Sequence, residues 1–162
     1  MEETTRLDEA TVFDGKLSFL ILHDWDETAE EGHYLYSHRG ADSGWFRVSL
    51  NTAKAVGETP AQLLKRLFEG RKNVTHDAST GNWVSTYERD SEEEGAKIRL
   101  YYWIVANVAE ADLVREAVFS YTVLLERTTD RQTAQMLSLL EQIVSRANFS
   151  PEISSSPNRR SR

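Results

Sequence analysis

The sequence predicts an α+β fold, in which an antiparallel β-sheet of about five to seven strands is flanked by two main α-helices. Two stretches repeat apolar residues at helical spacing behind helix-capping residues, and much of the rest alternates apolar and polar residues with the period of a strand. Short connections between the strand-like stretches favour antiparallel neighbours. The 162 residues suffice for one domain. We expect it to span residues 1–150, with an acidic N-terminal arm, followed by a flexible Ser/Pro/Arg-rich tail over residues 151–162.

Both predicted helices begin at a capping pattern. Thr59 is followed by a proline suited to the first helical turn and by Gln62, which can bond back to the cap, while Gly70 is placed to end the helix. The second helix is predicted to begin with the same pattern at Thr129 and to be closed off by Pro151. The apolar stripes of the two helices are Leu63, Leu64, Leu67 and Phe68, and Met136, Leu139, Leu140, Ile143, Val144 and Ala147.

Strands are predicted at residues 17–22, 45–50, 82–89, 96–108 and 113–125. The acidic stretch 90–95, which ends in glycine, is predicted to be a hairpin loop, and residues 110–112 a turn. The strand at 96–108 is apolar on both sides, which is typical of a strand that is covered on both faces.

The charge of the chain is unevenly distributed. Ten of its 26 acidic residues lie within residues 1–31, together with two of its 19 basic residues, so the remainder is almost neutral. Phosphate contacts require clustered Lys and Arg, and we therefore expect no nucleic-acid partner. An acidic first third suits a basic protein partner, although it also suits a face that only keeps the chain in solution.

Composition and spacing exclude most site chemistries. The chain has no cysteine, so disulfides, thiolate metal sites and cysteine nucleophiles are absent. The acidic run from Asp24 fails as an EF-hand loop, because Ala29 and Leu35 stand where glycine and glutamate are required. No zinc-binding spacing occurs among the histidines, which are His23, His33, His38 and His76. We predict no catalytic, cofactor-binding or metal-binding residue, and no enzyme.

Aromatic and arginine residues give the clearest functional signal. Their alternation along the predicted strands suggests one shared sheet face, and aromatic residues with arginine dominate protein interfaces. The alternative is that the aromatic residues pack beneath a helix, in which case the arginines need buried partners or positions at the rim. The predicted partner-binding residues are Trp45, Arg47, Trp83, Arg89, Arg99, Tyr101 and Trp103.

The order of aromatic and apolar positions over about residues 10–150 resembles the PsbP-like superfamily, in particular its DcrB-like bacterial branch. The matching features are residues 13–19 with Asp24-Trp25, Thr59-Pro60, Gly81-Asn82-Trp83, Tyr101-Tyr102-Trp103, residues 118–122, and Ile143 with Phe149. Members of the superfamily often carry a proline before the tryptophan turn, where this chain has His23 and Asp24. The resemblance implies a PsbP-like α/β/α sandwich.

The superfamily's record of accessory subunits, adaptors and secretion-associated chaperones implies a binding role. We therefore expect a non-catalytic protein-binding domain, an adaptor or chaperone-like accessory protein that uses the aromatic and arginine face. The alternatives are a small-ligand or metal-binding domain, with a pocket between the sheet and the C-terminal helix, and a protein that associates with itself as a homodimer. No apolar run approaches the roughly 20 residues of a membrane span, and the first residues do not resemble a signal peptide, so we expect a bacterial cytoplasmic protein.

Overall fold

The computed structural model describes residues 5–38 and 44–149, together with the backbone pairing of residues 159–161. The strands in these residues are β1 (Leu7–Val12), β2 (Leu17–Leu22), β3 (Trp25–Glu30), β4 (His33–His38), β5 (Trp45–Lys54), β6 (Thr75–His76), β7 (Trp83–Glu93), β8 (Ala96–Glu110), β9 (Leu113–Leu124) and β10 (Arg159–Ser161). The helices are α1 (Pro60–Phe68) and α2 (Arg131–Ser145), with a 3₁₀ turn at Leu125–Arg127 before α2. The predicted α+β class is confirmed.

Seven strands form one antiparallel sheet in the order β3-β4-β5-β9-β8-β7-β6. A smaller sheet in the order β10-β1-β2 pairs β1 antiparallel to β2 and parallel to β10. The long β8–β9 hairpin lies at the centre of the large sheet, so alternate residues of these strands point to opposite faces. We call the face that carries Phe46, Trp103, Phe119 and Tyr121 the core face, and the other the outer face.

The core face packs against α2 and the β1–β2 hairpin through aromatic rings. Phe119 stacks on Phe46 with ring centroids 5.6 Å apart, and Phe19 of β2 meets Phe119 edge-on at 5.4 Å. Leu140 and Val144 of α2 are completely buried in the same cluster. Burying each such side chain contributes about 1.5–3 kcal/mol, so these contacts hold the small sheet and α2 on the large sheet.

The outer face packs against α1. Leu63, Leu64 and Phe68 form a second buried cluster with Ala106 of β8 and Val114 of β9. The predicted start of α1 is confirmed, because the Thr59 hydroxyl accepts from the Gln62 backbone N–H and the Gln62 side chain accepts from the Thr59 N–H. The helix therefore has a fixed start and a fixed seat on β8 and β9.

The ends of α2 differ from the prediction. The cap residue is Asp130, which makes no side-chain capping bond, so the capping pattern predicted at Thr129 is wrong. The helix ends at Ser145, well before Pro151, which lies outside the described residues. Its last turn is stabilised from the sheet, because the buried Asn82 amide donates to the carbonyls of Ser145 and Ala147 at 3.0 and 2.8 Å.

The predicted hairpin loop at residues 90–95 is a two-residue turn. β7 continues to Glu93, and Glu94 and Gly95 both have positive φ, at 50° and 82°. Two consecutive left-handed residues match the twist of the flanking strands, which allows the pairing to extend to the tip of the hairpin. Asp90, Glu92 and Glu93, three of the acidic residues that suggested a loop, are solvent-exposed strand residues.

The first third of the chain is folded into strands. Most of the acidic residues predicted to form an arm lie in or between β1, β2, β3 and β4. Of these four strands, the sequence pattern predicted only β2. In the tail predicted at residues 151–162, the three residues of β10 pair with β1, and the rest of that prediction falls outside the described residues. Neither α1 nor α2 is long and apolar enough to cross a membrane.

Candidate functional site

The structure does not bring the seven predicted partner-binding residues onto one face. Register places Arg99, Tyr101 and Trp103 on the core face, opposite Val123, Tyr121 and Phe119 of β9. The other four predicted residues, Trp45, Arg47, Trp83 and Arg89, project from the outer face. Alternation correctly separates the two sides of each strand. Which side of one strand shares a face with which side of the next depends on their register, and alternation within a strand gives no information about register.

The three residues on the core face have different environments. Trp103 is 5% exposed and belongs to the main hydrophobic cluster, so it is a core residue. Tyr101 is half-buried at the edge of that cluster. Arg99 donates twice to Asp90, at 2.6 and 3.2 Å, and this guanidinium holds the pKa of the Asp90 carboxyl below its ordinary value. None of the three extends the outer surface.

Trp83 also serves packing. Its ring stacks on His76 of β6 with centroids 4.4 Å apart and planes 14° apart. It also packs against Phe68 of α1 at 5.8 Å. Trp83 is therefore held between the short edge strand and α1, where it helps to seat the helix.

The three remaining predicted residues, Trp45, Arg47 and Arg89, lie on the part of the outer face next to α1. Two rows of side chains cross the strands there. One row is Arg47, Ser120, Tyr102 and Tyr87, and the next is Trp45, Thr122, Leu100 and Arg89. We call the residues Trp45, Arg47, Tyr87, Arg89 and Tyr102 the aromatic–arginine patch. Trp45 and Tyr87 are 37% and 38% exposed, so the patch presents large ring surfaces to solvent.

The tyrosines of the patch are held in place by their neighbours. Tyr87 stacks on Tyr102 with ring centroids 4.6 Å apart. The Arg89 guanidinium donates to the Tyr102 hydroxyl at 3.1 Å and lies 5.6 Å from the centre of its ring. Burial, with Tyr102 next to it, raises the pKa of the Tyr87 phenol, which therefore remains protonated at neutral pH.

Arg47 is exposed and, unlike Arg89, makes no hydrogen bond or ion pair with any residue in the described ranges 5–38 and 44–149. The cation lies in the row next to Trp45, across the strands from Tyr102. A free cation among exposed rings can accept a carboxylate together with an apolar contact.

A second candidate site, a cleft, lies on the core face at the edge of α2. It has a volume of about 580 Å³ and lies between the helix and strands β7 and β8. It is lined by Tyr101 and Trp103, by the patch residues Tyr87 and Tyr102, and by two acidic residues, Glu88 of β7 and Glu141 of α2. Lys72 and Asn73 line its rim. This cleft occupies the position of the pocket predicted between the sheet and the C-terminal helix.

Four residues that the two sites depend on, Tyr87, Tyr102, Glu88 and Glu141, were missing from the predicted set. Alternation places Tyr102 on the opposite side of its strand from Arg99, Tyr101 and Trp103, and only the pairing with Tyr87 places both tyrosines in the patch. Glu88 lies near the end of the strand predicted at residues 82–89, and Glu141 carries no signal in the sequence of α2 beyond its polar position. Only the pairing of strands and the packing of α2 on the sheet bring these residues into the two sites.

The histidines are dispersed among separate partners. His23 lies 3.0 Å from Asp8, His33 lies 3.0 Å from Glu30, and His38 lies 3.0 Å from Asp24. Within the part of the chain that the structure describes, no group of three or more His, Asp or Glu side chains converges as a metal site would require.

No protein-family model matches the chain, and no curated protein sequence matches it. A solved structure from Bacteroides thetaiotaomicron VPI-5482 is similar, with a TM-score of 0.57 and 18% identity, over 93% of this chain and 51% of that one. This chain thus spans about half the length of the Bacteroides chain. LpqN of Mycobacterium tuberculosis, a protein involved in cell envelope biogenesis, is similar with a TM-score of 0.50 and 10% identity over 83% of each chain. At these identities the likeness is one of fold, and the chain shares its fold with two bacterial proteins.

Proposed function

We propose that the chain is a non-catalytic protein-binding domain, an adaptor or chaperone-like accessory protein, and that the aromatic–arginine patch is its binding surface. The observation that carries this proposal is the exposure of Trp45 and Tyr87 beside an arginine that has no ion-pair partner among the described residues. Tryptophan, tyrosine and arginine supply most of the binding energy in protein interfaces. The patch lies on strands rather than loops, which keeps its side chains in fixed positions.

The charge of the patch specifies the partner's chemistry. Arg47 and Arg89 are its two charged residues, and both are cations. We propose a partner surface that carries carboxylates around an apolar centre, because a carboxylate pairs with guanidinium in a bidentate geometry while the rings bury apolar area. This carboxylate-bearing surface differs from the basic partner that the acidic first third suggested.

The family placement is part of the same proposal. We propose that the chain is a divergent PsbP-like domain of the DcrB-like branch, which is supported by the two helices packed on a mostly antiparallel sheet and by the bacterial proteins of similar fold. We also propose a cytoplasmic location, whereas the LpqN likeness is to a protein involved in cell envelope biogenesis. Fractionation of the source cells distinguishes the two locations.

The experiment compares binding by matched variants. Immobilised wild-type chain, Trp45→Ala and Arg47→Glu are exposed to native lysate at low and then moderate salt. Leu20→Ala removes a comparably exposed apolar side chain, and Lys65→Glu reverses a charge on the solvent side of α1, so these two serve as controls. We expect one protein to be retained by the wild type and both controls and lost from both patch variants. Equal retention by all five proteins contradicts the proposal.

The cleft favours a second candidate function, the binding of a small ligand. Its volume of about 580 Å³ lies within the range of ligand sites, and it combines an aromatic lining with a few polar groups. A thermal-shift screen of metabolites and divalent metals tests this candidate, with Leu137→Trp as the variant that fills the cleft. A ligand that stabilises the wild type and not this variant supports it. Light scattering on the same samples tests for a homodimer, and a dimer abolished by Trp45→Ala assigns the patch to self-association.

A further inference from the structure

The large sheet has a free edge beside the cleft. β6 covers β7 only at Trp83 and Val84, and from Tyr87 to the tip of the hairpin every residue of β7 is exposed. No other described strand pairs with that side of β7. The free segment is residues 87–93, which at about 3.3 Å per residue measures roughly 20 Å, the length of an ordinary strand.

The pairing of β7 with β8 shows which backbone groups point outward. The Thr86 carbonyl accepts from the Asn73 side chain at 3.1 Å, on the side away from β8. In an antiparallel ladder the N–H and C=O of alternate residues point to the same side. The backbone groups that extend outward beyond Thr86 are therefore those of Glu88, Asp90 and Glu92, and they form a template on which a strand can pair.

The side chains of these three residues lie on the core face, and they differ in whether a basic residue stands opposite the carboxylate on β8. Across the strands, Asp90 stands opposite Arg99 and is paired with it, and Glu92 stands opposite Lys97. Glu88 stands opposite Tyr101, which carries no charge. Glu88 therefore presents a carboxylate without a cross-strand cation, at the point where β7 borders the cleft.

The cleft adds a second carboxylate and an aromatic lining at this point. Glu141 lines the cleft from α2, and neither it nor Glu88 forms an ion pair with a described residue. Lys72 at the rim offsets one of the two charges, which leaves the cleft with a net negative charge. Two acidic residues in a cleft that Tyr101 and Trp103 also line suit a guanidinium or ammonium group, which binds both carboxylates and the faces of aromatic rings.

We propose that the free edge of β7 binds an extended segment of a partner protein by strand addition, and that a Lys or Arg of this segment enters the cleft between Glu88 and Glu141. Main-chain hydrogen bonds to Glu88, Asp90 and Glu92 supply the pairing, and the cation in the cleft fixes its register. The cleft is lined by β7, β8 and α2, and it shares Tyr87 and Tyr102 with the aromatic–arginine patch. Trp45 and Arg47 lie outside the cleft, so failure of the patch variants at these two residues leaves this proposal standing.

The test uses the full chain and three synthetic peptides of about seven residues, matched to the free segment. The first alternates Arg and Thr, the second is the same peptide with every backbone N–H methylated, and the third replaces each Arg by Glu. Fluorescence anisotropy measures the affinity of each. We expect only the unmodified Arg/Thr peptide to bind, because methylation removes the N–H groups that pair with β7 whichever way the added strand runs, and glutamate is repelled from the cleft. Equal binding of the methylated peptide would reduce the effect to charge attraction and overturn the proposal.

Variants separate the cleft from the strand edge. Glu88→Gln and Glu141→Gln should each weaken the Arg/Thr peptide at least tenfold, whereas Glu31→Gln, an exposed acid in the β3–β4 turn, should not. Glu92→Pro removes one outward N–H without touching the β7–β8 ladder, and it should abolish binding that Glu92→Gln retains. Circular dichroism verifies the fold of each variant.

Amide hydrogen exchange provides the direct readout of strand addition. At saturating Arg/Thr peptide, the N–H groups of Glu88, Asp90 and Glu92 should exchange at least tenfold more slowly, while those of β3, the opposite edge of the sheet, should not change. Peptide binding without protection of these three amides, or no peptide binding at all, would overturn the proposal.

Discussion

The ring of Tyr87 in β7 stacks on the ring of Tyr102 in β8, with centroids 4.6 Å apart and planes only 9° apart. The two residues are directly opposite each other across the strands, on the outer face. Arg89 in turn bonds the Tyr102 hydroxyl. Three residues of the aromatic–arginine patch, Tyr87, Tyr102 and Arg89, are therefore held in place before any partner arrives, which lowers the entropy cost of binding.

The stack predicts a measurable coupling between the two tyrosines. A double-mutant cycle with Tyr87→Ala and Tyr102→Ala, measured by urea unfolding, should give about 0.5–1.5 kcal/mol of interaction energy. The same cycle for Tyr87 and Tyr34, which lie on different strands that do not pair, should give a value near zero. Additive effects of Tyr87 and Tyr102 would contradict the stacked arrangement.

Trp103 and Trp45 should respond oppositely to truncation. Trp103→Ala removes a ring that is 5% exposed in the core and should lower the free energy of unfolding by about 3–5 kcal/mol. Trp45→Ala removes a ring that is 37% exposed, and its cost should be much smaller, about 1 kcal/mol or less. Chemical denaturation measures both. Similar losses at the two positions would show that Trp45 is a structural residue.

Asn82 should be essential to the end of α2. Its buried amide donates to the carbonyls of Ser145 and Ala147, and its Oδ1 accepts from Asn107 at 2.9 Å. Asn82→Ala removes these three hydrogen bonds and should cost about 2–4 kcal/mol in the free energy of unfolding. Asn73→Ala, which removes one exposed amide bond to Thr86, should cost less than about 1 kcal/mol. Equal costs in denaturation experiments would refute this role.

The Asp90–Arg99 pair predicts a small dependence of stability on pH. Arg99 lowers the pKa of Asp90 in the folded chain, so the pair stabilises the fold above the ordinary carboxyl pKa, and this contribution disappears as pH falls through the lowered value. The melting temperature of Asp90→Asn should therefore lie below that of the wild type at neutral pH, and the gap should close on acidification below about pH 4. A gap that stays constant or widens in acid would exclude this contribution.

Local signals in the sequence were enough for part of the fold. Thr59 and Gln62 specify the start of α1 by themselves, and the alternation of β8 and β9 follows from residues that are close in sequence. Three strands of the acidic first third, β1, β3 and β4, were not predicted. They have no long apolar pattern in their sequence, and they are stabilised by pairing with neighbouring strands. Tertiary pairing overrides weak local preference there.

The candidate sites were less predictable for a related reason. Trp45, Arg47 and Arg89 were identified from alternation, and they do share a face. Arg99, Tyr101 and Trp103 were assigned to the same face, but they lie on the opposite one. Which side chains of β8 share a face with those of β5 depends on how both strands pair with β9 between them, and alternation within one strand does not give that register. Glu88 and Glu141 are 53 positions apart in the sequence and meet only through the packing of α2 on the sheet.

We propose that the aromatic–arginine patch is the surface on which a partner protein binds. Photo-crosslinking in the source cells tests this proposal, with a benzophenone amino acid placed at position 45 in the patch or at position 20 on β2, where the native side chains have similar exposure. We predict a crosslinked protein from position 45, abolished by Arg47→Glu in the same chain, and none from position 20. A partner that crosslinks from position 20 and not from position 45 would contradict the proposal.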